Sequence, residues 1–223
     1  MKRSFLLFAL LQVVFVCTGF SQEYKDFNFK SGITYSMSNS SNSGPNEMTM
    51  WFADNQYSGV EMGGQSAFFM VYDMKNQAAV NIMPAQKMYM VMDLKKMKEK
   101  MKSKTENPEN EKPVITKTGK TEKILGYNCE QYLIKTNKSE SLVWVTKDLG
   151  IDGAAFAKSF GEIMGNQDNS SPINTYGLSG VMMKMEVTEK DSKEKATLVA
   201  TKVHKDGKSV DVTGFKKMNM PGQ

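Results

Sequence analysis

Across 223 residues there are one arginine, one histidine, two cysteines and two tryptophans, and each scarcity closes off chemistry. Arg3 is the only arginine, so the chain after position 21 carries 27 lysines and no guanidinium. Planar forks that grip phosphate or guanine edges are missing, and no nucleic-acid partner is expected. A Ser-His-Asp or Cys-His set would have to use His204, whose setting, Lys202-Val203-His204-Lys205-Asp206, reads as an exposed strand end. One histidine with one cysteine cannot fill the three or four protein positions of a zinc site. Acids are plentiful but scattered, and their spacing in sequence singles out no glycosidase carboxylate pair. The chain therefore reads as a non-enzyme without a cofactor, with a hydrolase as the weaker alternative.

Cysteine is as limiting. Cys17 lies in the N-terminal apolar run, which leaves Cys129, and a single thiol forms no intramolecular disulfide. Stability must come from a buried core, which a chain of this size can build. Cys129, in Gly126-Tyr127-Asn128-Cys129-Glu130-Gln131-Tyr132, is either a reactive thiol or a small core residue; no neighbour lowers its pKa, so core packing is the reading carried forward. Thr118-Gly119-Lys120-Thr121 ends like a phosphate-binding loop, but Val114 stands where that motif needs its first glycine.

Long apolar runs are also absent after the first. Lys2 and Arg3 precede the stretch from Phe5 to Cys17, and Thr18-Gly19-Phe20-Ser21 follows, the order of a secretory signal peptide. The stretch is too short for a permanent span, which needs roughly 20 residues. Cleavage is expected near Ser21. Acylation of Cys17 is disfavoured by the bulky Val14-Phe15-Val16 before it. The expected location is periplasmic or extracellular, with residues 22–223 forming a single β-rich domain.

What is abundant is methionine, nineteen in all. Met88, Met90 and Met92 fall on one face of a strand, and Met48 with Met50, Met182-Met183-Lys184-Met185, and Met218 with Met220 add close groups. Thioethers suit Cu(I), and they also make adaptable apolar surfaces. The second reading is preferred, because these positions already call for apolar side chains.

Period-2 alternation predicts strands at Ile33–Met37, Met48–Phe52, Ser66–Tyr72, Ala78–Met83, Gln86–Met92, Val114–Lys120, Cys129–Thr136, Ser141–Thr146, Val181–Thr188 and Thr197–His204. An Asp206-Gly207 hairpin turn leads into Ser209–Thr213. Helical spacing predicts a lysine-rich amphipathic helix from Asp93 to Lys104, with Asp93 as N-cap and a surface able to lie on a membrane. A second helix is predicted within Asp148 to Gly165, and residues 103–113 read as a mobile loop. The fold class is mainly β (β-rich α+β): a curled antiparallel sheet or half-barrel of about ten strands, with two helices in or near its concavity.

Thr118 to Tyr132, with Trp144-Val145-Thr146-Lys147-Asp148-Leu149-Gly150, resembles an exported bacterial family, domain-of-unknown-function family four-four-one-two. The likeness includes Lys87-Met88-Tyr89 and Pro221-Gly222, and it implies no activity and no residue roles. More distantly, the architecture is similar to LolA/LolB-like lipoprotein carriers, whose half-barrels hold acyl chains. That resemblance implies an exported envelope protein binding a lipid, lipoprotein or other apolar ligand, with Met88, Met90, Met92, Phe156 and Phe160 lining a cavity. The alternative is a Met-rich periplasmic Cu(I)-binding protein using Met88, Met90 and Met92. Oligomeric state is open at this stage.

Overall fold

A computed structural model describes residues 23–40, 42–53, 57–63, 68–96, 113–151, 178 and 180–218, with backbone alone for 42–46. The signal-peptide segment, the loop at 103–112, most of both predicted helices, and Phe156 and Phe160 lie outside the described residues.

Among the described residues fourteen strands run in chain order: β1 (Asp26–Phe29), β2 (Ser31–Asn39), β3 (Asn42–Phe52), β4 (Tyr57–Met62), β5 (Phe68–Asp73), β6 (Ala78–Met83), β7 (Met88–Asp93), β8 (Val114–Ile124), β9 (Tyr127–Lys135), β10 (Ser139–Thr146), β11 (Val181–Glu189), β12 (Lys195–His204), β13 (Lys208–Asp211) and β14 (Lys216–Met218). Twelve form one open sheet in the order β14-β7-β6-β5-β4-β3-β2-β12-β11-β10-β9-β8, and β1 pairs with β13 as a separate ribbon. The sheet is thus two antiparallel meanders, β2 to β7 and β8 to β12, joined along β2 and β12. After β7 the chain re-enters at the opposite edge with β8, and β14 then adds to β7 in parallel.

The mainly-β expectation holds; the count of about ten strands is corrected upward by β1, β4 and β14. Gly59 and Glu61 obscure the alternation of β4, while β1 and β14 have four and three residues. The Asp206-Gly207 turn is corrected too: β13 does not fold back on β12 but leaves the sheet to pair with β1. A Cβ on Gly207 would run into the Phe29 carbonyl oxygen, so glycine lets the turn press against β1.

Alternation sorts the side chains into two apolar clusters, one on each face of the first meander. Tyr89 and Val91 of β7, Val80 and Ile82 of β6, and Phe69 and Val71 of β5 pack under the ribbon with Tyr24, Phe27 and Phe29. Their neighbours in sequence point the other way, into a larger cluster that continues through β10 to β12 with Val143, Met182 and Leu198. Asp93 caps the first helical turn, accepting a hydrogen bond from the Lys96 backbone N–H at 3.0 Å.

Two devices manage the open edge at β8. Lys117, Lys120 and Lys123 line it, and a register shift between Lys117 and Thr121 interrupts the pairing with β9. Thr118-Gly119-Lys120-Thr121 sits at this irregularity inside a strand.

Candidate functional site

The two clusters differ in chemistry. Among the described residues, the ribbon-covered one is built from aromatic, β-branched and alanine side chains and contains no methionine. The opposite one contains eleven: Met48, Met50, Met92, Met182 and Met183 are buried, and Met37, Met62, Met70, Met74, Met90 and Met185 are half-buried against them. Single strands show the sorting directly, since β7 sends Tyr89 and Val91 one way and Met90 and Met92 the other.

Strand register sets the methionine face out in rows. Ile33, Met50, Val60, Met70, Asn81, Met90 and Met218 stand opposite one another in turn across β2, β3, β4, β5, β6, β7 and β14. A flanking row holds Phe52, Ser58, Tyr72, Ala79 and Met92. The other flank holds Tyr35, Met48, Met62 and Phe68. The face is sealed at Met50 and Tyr35, both 0 % exposed, and more open at Met62, Met70 and Met90. Burial pushes the Tyr35 hydroxyl pKa well up, so it stays neutral and donates to the Met182 carbonyl at 2.8 Å.

Among the described residues, two buried side-chain polar atoms on this face have no hydrogen-bond partner, Ser58 Oγ and Asn81 Oδ1. Ser58 lies between Tyr57 and Gly59, which face the ribbon, and its cross-strand partners Phe52 and Tyr72 belong to the methionine-rich cluster. Asn81 lies between Val80 and Ile82 of the other cluster and opposite Met70 and Met90. Buried polar groups are nearly always paired, and an unpaired one costs about 1–3 kcal/mol.

Of the five residues expected to line a cavity, Met90 and Met92 join the cluster, and Met88 is half-buried at the end of the same strand face. Phe156 and Phe160 lie outside the described residues. Met88, Met90 and Met92 are alternate residues of one strand, so successive Cα atoms stand about 6.8 Å apart. Sequence reading missed Met37, Met62 and Met70 as partners of these residues, and it missed both unpaired polar groups. The usable signal was Asn81, a polar residue at an inward position of an otherwise apolar strand.

On the ribbon face, His204 ends β12 as expected but is half-buried rather than exposed. Its ring lies 4.9 Å from the Trp51 ring, and Nε2 is 2.8 Å from Thr34 Oγ1, which in turn is 2.8 Å from Thr49 Oγ1. Burial, reinforced by Lys202 and Lys208 against the opposing Glu61, lowers its pKa. Trp51 Nε1 donates to Glu61 Oε2 at 2.9 Å, and Lys208 Nζ donates to both Glu61 oxygens at 2.7 Å, which ties β13 to the sheet. Cys129 is fully buried and burial pushes its thiol pKa up, as suits a core residue. At the far end of the sheet, a cleft of about 690 Å³ is bordered by Leu133, Leu142, Glu140, Glu186, Glu189 and Lys190. Glu140 and Glu186 are ion-paired there with Lys135 and Lys184.

Among the described residues no helix is long and apolar enough to cross a membrane, and no cluster of His, Cys, Asp or Glu has metal-binding geometry. Comparison with curated proteins finds no match. Among solved structures, PNGF-II is 16% identical with a TM-score of 0.42, over 88% of this chain and 32% of that one. The Pseudomonas aeruginosa MucA/MucB complex gives 7% and 0.41, over 82% of this chain and 52% of that one. A LolA superfamily protein from Nitrosomonas europaea gives 10% and 0.28, over 79% and 85%. The chain thus spans about a third of PNGF-II and about half of the MucB chain. None of them lends this chain a ligand or an activity. Residues 31–216, from the start of β2 into β14, match the family model described as Domain of unknown function (DUF4412), and the chain belongs to that family.

Proposed function

We propose that the chain is a non-enzymatic, exported envelope protein that binds a lipid, a lipoprotein acyl chain or another apolar ligand on the methionine-rich face of β2 to β7. The observation that carries this reading is the segregation of methionine: among the described residues, seven of the larger cluster's eleven stand on β2 to β7 (Met37, Met48, Met50, Met62, Met70, Met90 and Met92), and the ribbon-covered cluster holds none. A permanent core gains from stiff side chains with few rotamers, which is what the ribbon face has. Methionine has three rotatable bonds and a polarizable sulfur, so it suits a surface that must re-pack around something changeable. On β3, β5 and β7 the two clusters share the same strands and the same backbone, so strand propensity does not account for the difference. Half-buried Met62, Met70 and Met90 give the ligand its point of entry.

The test uses diphenylhexatriene, a hydrocarbon that fluoresces when it leaves water. Mixing it with the native chain is expected to raise fluorescence saturably, and mass spectrometry of an organic extract to show a co-purified apolar molecule. No fluorescence rise together with an empty extract overturns the reading. The competing occupant, Cu(I) held by Met88, Met90 and Met92, is tested by anaerobic titration against a chain with all three replaced by leucine. An affinity unchanged by the replacement removes it.

A further inference from the structure

We infer that the ligand of this face is an amphiphile that donates hydrogen bonds, an acyl chain carrying an amide N–H or a hydroxyl, that Asn81 Oδ1 reads that donor, and that Ser58 Oγ, which donates as well as accepts, pairs with a second polar group of either kind. The inference rests on the proposed apolar-ligand reading and specifies its chemistry. Asn81 Oδ1 and Ser58 Oγ are buried without partners, and both belong to the rows of the methionine face. Ser58 as a whole is only 2 % exposed. An orphaned carbonyl oxygen accepts only, so it demands an N–H or O–H from its partner, which an ester-linked or hydrocarbon chain lacks.

The two positions lie two strands and one row apart. At about 4.8 Å per strand and about 6.8 Å per row, their Cα atoms are roughly 12 Å apart, so different groups along the ligand serve them. Met70 and Met90 flank Asn81 across the strands, and Phe52 and Tyr72 flank Ser58. Flexible thioethers beside Asn81 can swing aside to admit the ligand and then close over its chain.

The experiment displaces diphenylhexatriene from the full chain with decanamide and with methyl decanoate, two ligands of matched chain length that differ in donor capacity. The ratio of their displacing concentrations is measured for the native chain, for Asn81→Leu and for Ser58→Ala. Taking ratios cancels the different water solubilities of the two ligands. The amide advantage is expected to fall about tenfold in N81L, the worth of one buried hydrogen bond, and to stay at the native ratio in S58A, because a hydroxyl both donates and accepts and serves amide and ester alike. Equal ratios in all three proteins overturn the inference while leaving the apolar-ligand reading standing. Failure of diphenylhexatriene to bind the native chain sinks both. Should N81L not fold, Asn81→Met, an unbranched replacement, is read in the same way, a fall in the ratio supporting the inference and no change overturning it.

Discussion

Leu125 occupies the first position of the two-residue turn between β8 and β9, with φ 51, followed by Gly126 at φ 87. Both signs suit the turn type that matches strand twist, but leucine has no local means of offsetting a left-handed backbone, and its side chain is 46 % exposed. Replacing Leu125 with asparagine is expected to raise stability by about 0.5–1 kcal/mol, read as a higher urea midpoint at unchanged slope. His204 sets a pH dependence of opposite character. Its folded pKa lies below the ordinary value, so the unfolded chain binds the proton more readily and stability drops as pH falls through and below that ordinary value, about 6.5. Melting temperature should therefore decline from pH 7 toward pH 5, and His204→Gln should flatten that decline. An undiminished slope in the variant would show that carboxylates, not this imidazole, dominate the window.

At the scale of elements, the β1–β13 ribbon depends on one close approach. A Gly207→Ala chain must move its turn off the Phe29 carbonyl, because backbone atoms have no rotamer to yield. The expected loss is about 1–3 kcal/mol, with hydrogen exchange accelerated in β1 and β13 while β10 and β11 keep their native protection. Uniform acceleration would mean the ribbon is part of the global unit. This element also marks where sequence reading stopped. Alternation with polar side chains made β2 and β3 legible, while β6 and β7, which send side chains into both clusters, were legible as short apolar runs bounded by turns. The ribbon was illegible because Asp206-Gly207 is good hairpin chemistry, and nothing local says that β13 will choose Phe27 and Phe29 over β12. For the site, Met90 and Met92 were legible from spacing on one strand. Met50, Met70 and Asn81 become their neighbours only through register, a long-range property that no single segment encodes.

For the whole molecule, one tryptophan reports on each meander, Trp51 on β3 and Trp144 on β10. The methionine-rich cluster runs through both meanders, and Tyr35 on β2 reaches past β12 to the Met182 carbonyl on β11. The described sheet should therefore unfold as one unit. Single-tryptophan chains, Trp144→Phe and Trp51→Phe, are expected to give fluorescence midpoints coincident with their own circular-dichroism midpoints. Tyr35→Phe should lower both reporters together by about 1–3 kcal/mol, the cost of leaving a buried carbonyl without its extra donor. Separate transitions would show two units that merely touch. The seam between β2 and β12 also fixes an order of events during synthesis. Thr34 and His204 meet across 170 positions, so the first meander is made long before its inner edge has a partner, and β2 emerges as a bare row of amide and carbonyl groups. Such an edge recruits any passing strand, and pairings this distant in sequence form slowly. The young chain's chief hazard is thus a wrong neighbour along β2, which makes the late arrival of β12 the step that commits the molecule to its native form.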